Sequence, residues 1–417
     1  MTPKTRRFLL DPKSIKAWSD VFVRRNDDSP GIHIDELVAR YVSDTNSETL
    51  SQDAKSSELL YTAMKKAIKS TWDLEVDENN IVKGSVCLKP IFMGEKMILS
   101  IPTATILNIA SGFNDKDLTT RGSITGGTAC AFTCVYCSSP TMMSRSMHTR
   151  ILRVLNVKHS EVILRRFEPV KILRMQLSDK KGLPRYKDDN GVVILSPIVD
   201  PLANMELMEE SFQMILAIME LTNWDVRILT KSMLIKKLAT KIPDEYRHRI
   251  IYGLSIGTLD DRISRVVEKL TSPPRLRMKA YRELQRQGLR TYSMHCPILP
   301  QSDYSAFAEK LAAEMNWQAD ELVWGEALNL RGDSVKNTIA ALEKAELHDE
   351  ANLLARVSRS RVMWETQYNR PLFEALASVC PPEKLRYLVY PAPEYRDYWL
   401  GLRDRGAVVL GEEKMDD

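Results

Sequence analysis

The sequence predicts an α/β protein, and three observations carry that reading. From residue 123 onward, short β-prone segments alternate with amphipathic helical stretches, which signals parallel β/α units. Before residue 85 the apolar residues recur at three-to-four spacing, which predicts helices. After residue 333 the helical spacing returns. The expected parts are a helical N-terminal region with a small β-hairpin (1–110), a β/α region (111–332) and a mainly helical C-terminal accessory region (333–417).

A chain of 417 residues, 44% hydrophobic and 27% charged, has ample size for a buried core and an ordinary globular composition. No apolar run approaches the roughly 18 residues that span a bilayer. The basic start, Lys4 to Leu10, has too short an apolar stretch for a secretory signal. A cytoplasmic protein with no membrane partner is expected, its six cysteines reduced and available to metal. The net charge of +4 is compatible with a polyanionic partner.

In chain order, Ser14–Arg25, Asp35–Ser43 and Asp53–Trp72 read as helices. Basic residues dot them (Lys16, Arg24, Arg25, Lys65, Lys66, Lys69), either as a solvated face or as a surface for phosphates. Val82–Leu88, Ile91–Phe92, Met97–Ile101 and Thr105–Ile109 read as short strands, with a turn at Gly94-Glu95-Lys96. A loop then leads to a strand at Ser123–Thr125. Ser160–Phe167 reads as a helical turn and Ile172–Leu177 as a strand. Further strands are expected at Val192–Ile198, Val226–Thr230, Ile251–Ile256, Thr291–Cys296 and Glu321–Leu328. Helices at Glu206–Leu221, Ile235–Leu238, Arg275–Gln287 and Tyr304–Met315 separate them. Counted from Ser123, this makes about six parallel strands. Asn337–Leu347, Asp349–Val362 and Leu372–Ser378 are expected helices, Tyr387–Tyr390 is strand-like, and the charged tail 412–417 is expected to be disordered.

The chemistry concentrates in Thr125-Gly-Gly-Thr-Ala-Cys130-Ala-Phe-Thr-Cys134-Val-Tyr-Cys137. Three soft thiolates at this spacing suit a soft metal centre with one position left open. The glycines upstream are expected to let the backbone turn around it. A zinc knuckle is the alternative, but zinc sites usually collect four ligands. The nearest candidates for a fourth are Cys87 and His148.

This C-x3-C-x2-C run, with aromatic Tyr136 before the last cysteine, resembles the signature of the radical SAM enzymes. The resemblance implies that Cys130, Cys134 and Cys137 hold a [4Fe–4S] cluster, that S-adenosylmethionine (SAM) binds its open iron, and that the six strands form a partial (β/α)6 barrel. Downstream, Ser196-Pro-Ile-Val-Asp200-Pro, Ile228-Leu-Thr-Lys231-Ser, Gly253-Leu-Ser255-Ile-Gly-Thr-Leu-Asp-Asp261 with Glu268 and Pro273-Pro-Arg-Leu-Arg277, and Cys296-Pro-Ile-Leu-Pro300 resemble the strand ends of the spore photoproduct lyase branch, the radical SAM DNA repair photolyases. All fall at the expected C-terminal ends of strands, where α/β-barrel sites form. Lys231, Ser255, Tyr136 and Cys296 are then cofactor-binding candidates. Asp200 and Cys296 are the catalytic ones, Cys296 as a hydrogen donor. Arg277 is expected to pair with Glu268.

Two departures separate this chain from that branch. The hydrogen-donating cysteine three residues before the aspartate is Pro197 here, and the tyrosine after the third cluster cysteine is Ser138. Without that relay, modification or isomerisation of a thymine derivative in DNA is expected ahead of thymine-dimer repair. A radical SAM enzyme acting on a small molecule or peptide is the further alternative. DNA is the implied partner, together with an external electron donor of the flavodoxin or ferredoxin type. The aromatic, basic stretch Arg386, Tyr387, Tyr390, Tyr395, Arg396, Tyr398 and Trp399 reads equally as a surface that grips DNA and stacks on a flipped base or as a terminal docking element.

Overall fold

Runs of apolar residues after residue 190 form the middle of one nine-stranded sheet in a computed structural model that describes residues 1–72, 74–142, 147–330 and 332–411. The tail 412–417 lies outside the described residues, as does the side chain of His148. The chain divides into two compact units. One comprises 1–104, 127–130 and 142–168; the other comprises 105–126, 131–141 and everything from Pro169 on.

In the first unit the three expected helices occur as Pro12–Phe22, Ile34–Asp44 and Ala54–Trp72. They close on Ile15, Trp18, Tyr41, Leu60, Met64 and Ile68, all buried. Of the N-terminal cations, Arg24 is buried, donates to the Ser100 carbonyl at 2.6 Å and stacks on Phe167, and Lys16 pairs with Asp20, while Arg25, Lys66 and Lys69 are exposed. The hairpin Ile91–Met93 and Lys96–Ile101 turns where expected. Residues 160–167 are not a helical turn. Val162–Arg166 is a strand parallel to Lys96–Ile101 and antiparallel to Gly127–Ala129, and only His159–Glu161 coils. Burial on that sheet decides the matter, because Val162, Ile163 and Leu164 are all enclosed.

The glycines of the cysteine stretch serve packing more than turning. Gly127 lies inside a strand, and a Cβ there would sit 2.5 Å from the Leu164 carbonyl oxygen.

The second unit holds β1 (Leu107–Asn108), β2 (Ser123–Ile124), β3 (Val192–Leu195), β4 (Asp225–Thr230), β5 (Ile250–Ser255), β6 (Thr291–Ile298), β7 (Val323–Ala327), β8 (Leu385–Val389) and β9 (Ala407–Val409). Spatial order follows chain order. Only the β1–β2 pair is antiparallel, and β1 and β9 are opposite edges. The six parallel strands expected from the sequence are β2 to β7, and β8 and β9 extend the same sheet.

Helices connect the parallel strands, as βαβ units require. Asn204 caps Met205–Leu221 by accepting from the Leu207 amide at 2.8 Å, which starts that helix one turn after the Asp200 loop. Ile172–Leu177, expected as a strand, belongs to helix Pro169–Leu177. Its buried residues Leu173 and Leu177 recur at helical spacing, and the helix packs on Met205–Leu221. A run of six apolar-rich residues reads either way until its partner is known.

Candidate functional site

The two-residue ribbon Thr133–Cys134 pairs antiparallel with Glu268–Lys269, with Cys134 opposite Glu268 and Thr133 opposite Lys269. The Val135 amide continues the ladder to the Val267 carbonyl at 2.9 Å, and the Cys137 amide turns back to the Cys134 carbonyl at 3.1 Å. This register lays the second half of the cysteine loop on the segment that follows β5.

Glu268 is the hub of that segment. It is 2% exposed and ion-paired with Arg277, whose side chain is wholly buried. Its carboxylate also accepts from the Tyr136 hydroxyl and from Ser264 Oγ, the latter at 3.2 Å. Lys231 Nζ stands 3.9 Å from Glu268 Oε1 and 5.7 Å from the centre of the Tyr136 ring. Burial by itself would raise the Glu268 carboxyl, but the Arg277 and Lys231 cations hold it below the usual range. Burial likewise works against the Lys231 ammonium, but Glu268, Cys134 and Asp200 together outweigh it, so the lysine is held charged. Tyr136, buried beside that carboxylate, has its phenol pushed far up and stays neutral.

Asp200 fixes the loop after β3 to the end of β4. One oxygen accepts from Thr230 Oγ1 at 2.7 Å and from the Leu202 amide at 2.9 Å, and the other from the Lys231 amide at 2.6 Å. Burial nevertheless raises its carboxyl pKa. Asp200 therefore sets where Lys231 leaves the strand.

Ser255 ends β5. Its Oγ is buried and has no hydrogen-bond partner, while its carbonyl accepts from Arg277 at 2.5 Å. An unsatisfied buried hydroxyl costs roughly 1–3 kcal/mol and asks for a ligand or a functional reason. We expect Ser255→Ala to leave stability unchanged or raise it by about 1 kcal/mol. If the chain binds SAM, as the resemblance of its sequence implies, the same change should weaken that binding several-fold, read as the dissociation constant by equilibrium dialysis. Unchanged SAM affinity would remove Ser255 from the cofactor site.

Cys296 lies on β6, and its thiol donates to Glu326 of β7, with the Lys116 and Lys231 cations also near. Burial, foremost, and the Glu326 carboxylate push its pKa well above the thiol range, so it keeps its hydrogen. Lys116, from the loop before β2, lies 5.6 Å from the Tyr390 ring centre; burial works against its charge, but Glu326 and Tyr390 together outweigh it and keep it charged.

Asp200, Lys231, Ser255 and Cys296 thus lie at or just past the ends of parallel strands, and Tyr136, just past the antiparallel ribbon, reaches Glu268 there, with Cys134 and Cys137 on the same unit. Cys130 belongs to the first unit, where its carbonyl accepts from Lys96 Nζ at 3.0 Å. All six cysteines are thiols. Among the described residues, no three His, Cys, Asp or Glu side chains are gathered to hold a single metal ion. A mononuclear zinc site requires that convergence. A four-iron cluster takes each thiolate at a different iron, so its three cysteines would converge on a cube and not on one ion. Sequence reasoning placed Glu268 only as the partner of Arg277 and missed Lys116 and Glu326, which belong to no recognisable pattern.

No family model matches the chain. The protein ORF301 of Acidianus two-tailed virus is 27% identical over 128 residues, which span 30% of this chain and 42% of that one. Among solved structures, a double mutant of spore photoproduct lyase with bound AdoMet and dinucleoside spore photoproduct is similar at 13% identity. Its TM-score is 0.46, over 67% of this chain and 78% of that one. SuiB of Streptococcus suis is similar at 14% identity and TM-score 0.33, over 82% and 69% of the two chains. Among the described residues, no helix is long and apolar enough to cross a membrane.

Proposed function

We propose that this chain is a radical SAM enzyme of the spore photoproduct lyase-like branch, acting on a nucleobase, a thymine derivative in DNA, to modify or isomerise it. One observation carries the proposal: the register that sets Cys134 against Glu268 brings Cys134, Tyr136 and Lys231 together at the end of β4, and the Ser255 hydroxyl at the end of neighbouring β5 has no partner. The donor set fits the cofactors. Cys130, Cys134 and Cys137 would hold a [4Fe–4S] cluster, the charged Lys231 and the unpartnered Ser255 Oγ would meet polar atoms of SAM, and Tyr136 would flank them. When bound and reduced by an external donor of the flavodoxin or ferredoxin type, that pair supplies a 5′-deoxyadenosyl radical able to take hydrogen from an unactivated carbon.

The protein's own residues orient and enclose. Asp200 holds the Lys231 backbone, Glu268 and Arg277 lock the loop, and the packed strand ends exclude water. Cys296, neutral and half-buried, would return hydrogen to a product radical. Anaerobic reconstitution with iron and sulfide, then reduction with SAM, should yield 5′-deoxyadenosine and methionine; a preparation carrying the cluster that yields neither overturns the enzyme reading. In deuterated water, solvent deuterium should enter the product of the native chain and be lost in Cys296→Ala. Incorporation equal in both proteins would assign the hydrogen return elsewhere.

A further inference from the structure

The C-terminal ends of β7, β8 and β9 enclose a cavity of about 570 Å³, within the roughly 300–1,000 Å³ of small-ligand clefts. Strands β8 and β9 lie beyond the six that the sequence led us to expect, so this space exists because the C-terminal region continues the sheet. Its walls combine the rings of Tyr390, Tyr395 and Trp364 with the cations Arg361 and Arg396 and the carboxylate Glu326.

These groups are not equally committed elsewhere. Arg361 is exposed and, among the described residues, has no ion pair. Arg396 donates one nitrogen to the Gly411 carbonyl at 2.5 Å. Glu365, also on the wall, is fully engaged by Trp399, Asn369 and Arg370 and belongs to the core. Glu326 instead connects the cavity to the site described above, since it takes the Cys296 thiol as a donor and lies beside Lys116, which also touches Tyr390.

We propose that this cavity is a nucleotide subsite that takes one unit of a single strand. The base stacks against Tyr390 and Tyr395 and gives a ring N–H to Glu326, while the 5′-phosphate meets Arg361 and Arg396. The inference rests on the reading of the chain as an enzyme acting on a nucleobase, and it names where that base enters. Rings offer any base a stacking face, and a carboxylate prefers one that presents an imide or amino hydrogen. The arginine fork suits phosphate. The arrangement also accounts for the split of the C-terminal aromatic stretch. Tyr387 and Trp399 are wholly buried and stacked 5.7 Å apart in the core, while Tyr390 and Tyr395 face the cavity.

The test uses the cluster-loaded full chain with thymidine, thymidine 5′-monophosphate and a short single-stranded oligothymidylate, measuring dissociation constants by equilibrium dialysis. Tyr390→Ala should weaken binding of all three about 5–150-fold, the equivalent of the roughly 1–3 kcal/mol that a base–aromatic stack contributes. Tyr390→Phe should retain it. Arg361→Ala, a surface change, should weaken the monophosphate and leave thymidine unaffected. Binding unchanged in both Tyr390→Ala and Arg361→Ala overturns the subsite. So does native protein that cleaves SAM yet binds none of the three probes, a result that leaves the proposed reaction standing. Native protein that binds nucleotide through Tyr390 but forms no 5′-deoxyadenosine supports the subsite and overturns the reaction.

Discussion

Replacing Cys134 by alanine should abolish cluster loading and 5′-deoxyadenosine formation together while the protein stays folded. The substitution leaves the backbone ladder intact, because the pairing of Cys134 with Glu268 is made by main-chain groups, and so is the turn from the Cys137 amide. What is lost is a thiolate. Loss of an outer-shell partner of a metal costs roughly 10–100-fold in metal affinity or activity, and loss of a ligand should exceed that. Iron and labile sulfide analysis, SAM turnover and thermal unfolding of the apo-protein separate the outcomes. A Cys134→Ala protein that still carries a four-iron cluster and cleaves SAM would refute the ligand assignment. An apo-protein that no longer folds would mean that Cys134 is a core residue.

The second large effect is on stability. Glu268→Ala should cost about 3–5 kcal/mol, because it strands the wholly buried Arg277 without its anion. The double change Glu268→Gln with Arg277→Met should recover much of that loss, since it removes the orphaned charge as well as its partner. Urea unfolding of the purified variants measures both. A Glu268→Ala protein as stable as the native chain would show that water, or neutral acceptors such as the Ser255 carbonyl, compensates the guanidinium.

The pH dependence has a definite sign. The folded-state pKa of Glu268 lies below its unfolded value, so its stabilising contribution is present above the unfolded carboxylate pKa and is lost as pH falls through the folded one. Asp200 acts oppositely. Its carboxyl is raised by burial, so it favours the folded state more on the acid side. Comparing native and Glu268→Gln unfolding from pH 7 down through and below the ordinary carboxylate range, to about pH 3, should show the gap between them narrowing only at the acid end.

Much of the parallel sheet was legible because each strand from β2 to β7 is an apolar run bounded by turn residues, and helices with one apolar face separate them. The cysteine loop was legible as chemistry because spacing alone makes it conspicuous. Two kinds of error remained. Val162–Arg166 and Ile172–Leu177 are short apolar runs whose state is set by what covers them, a sheet in one case and helix Met205–Leu221 in the other. The second kind concerns long-range partners. Lys116 sits in a loop with no periodicity, yet it shares Glu326 with Cys296 across more than 170 residues of sequence. Nothing local in its neighbourhood marks it. Strand β9 escaped notice because Ala407–Val409 is only three residues long and is defined by its neighbour β8.

The ribbon that sets Cys134 opposite Glu268 also constrains how this loop can change length over time. Side chains along a strand alternate faces, so a single inserted or deleted residue between Thr133 and Tyr136 would turn the tyrosine away from the carboxylate and leave both buried polar ends without each other. Changes between the second and third cysteines are therefore closed off by a register that involves no metal at all. Residues outside the ribbon, such as Ser138, are under no such restriction. Natural variation in this loop should accordingly collect after Cys137, where new chemistry can be tried without undoing the clasp.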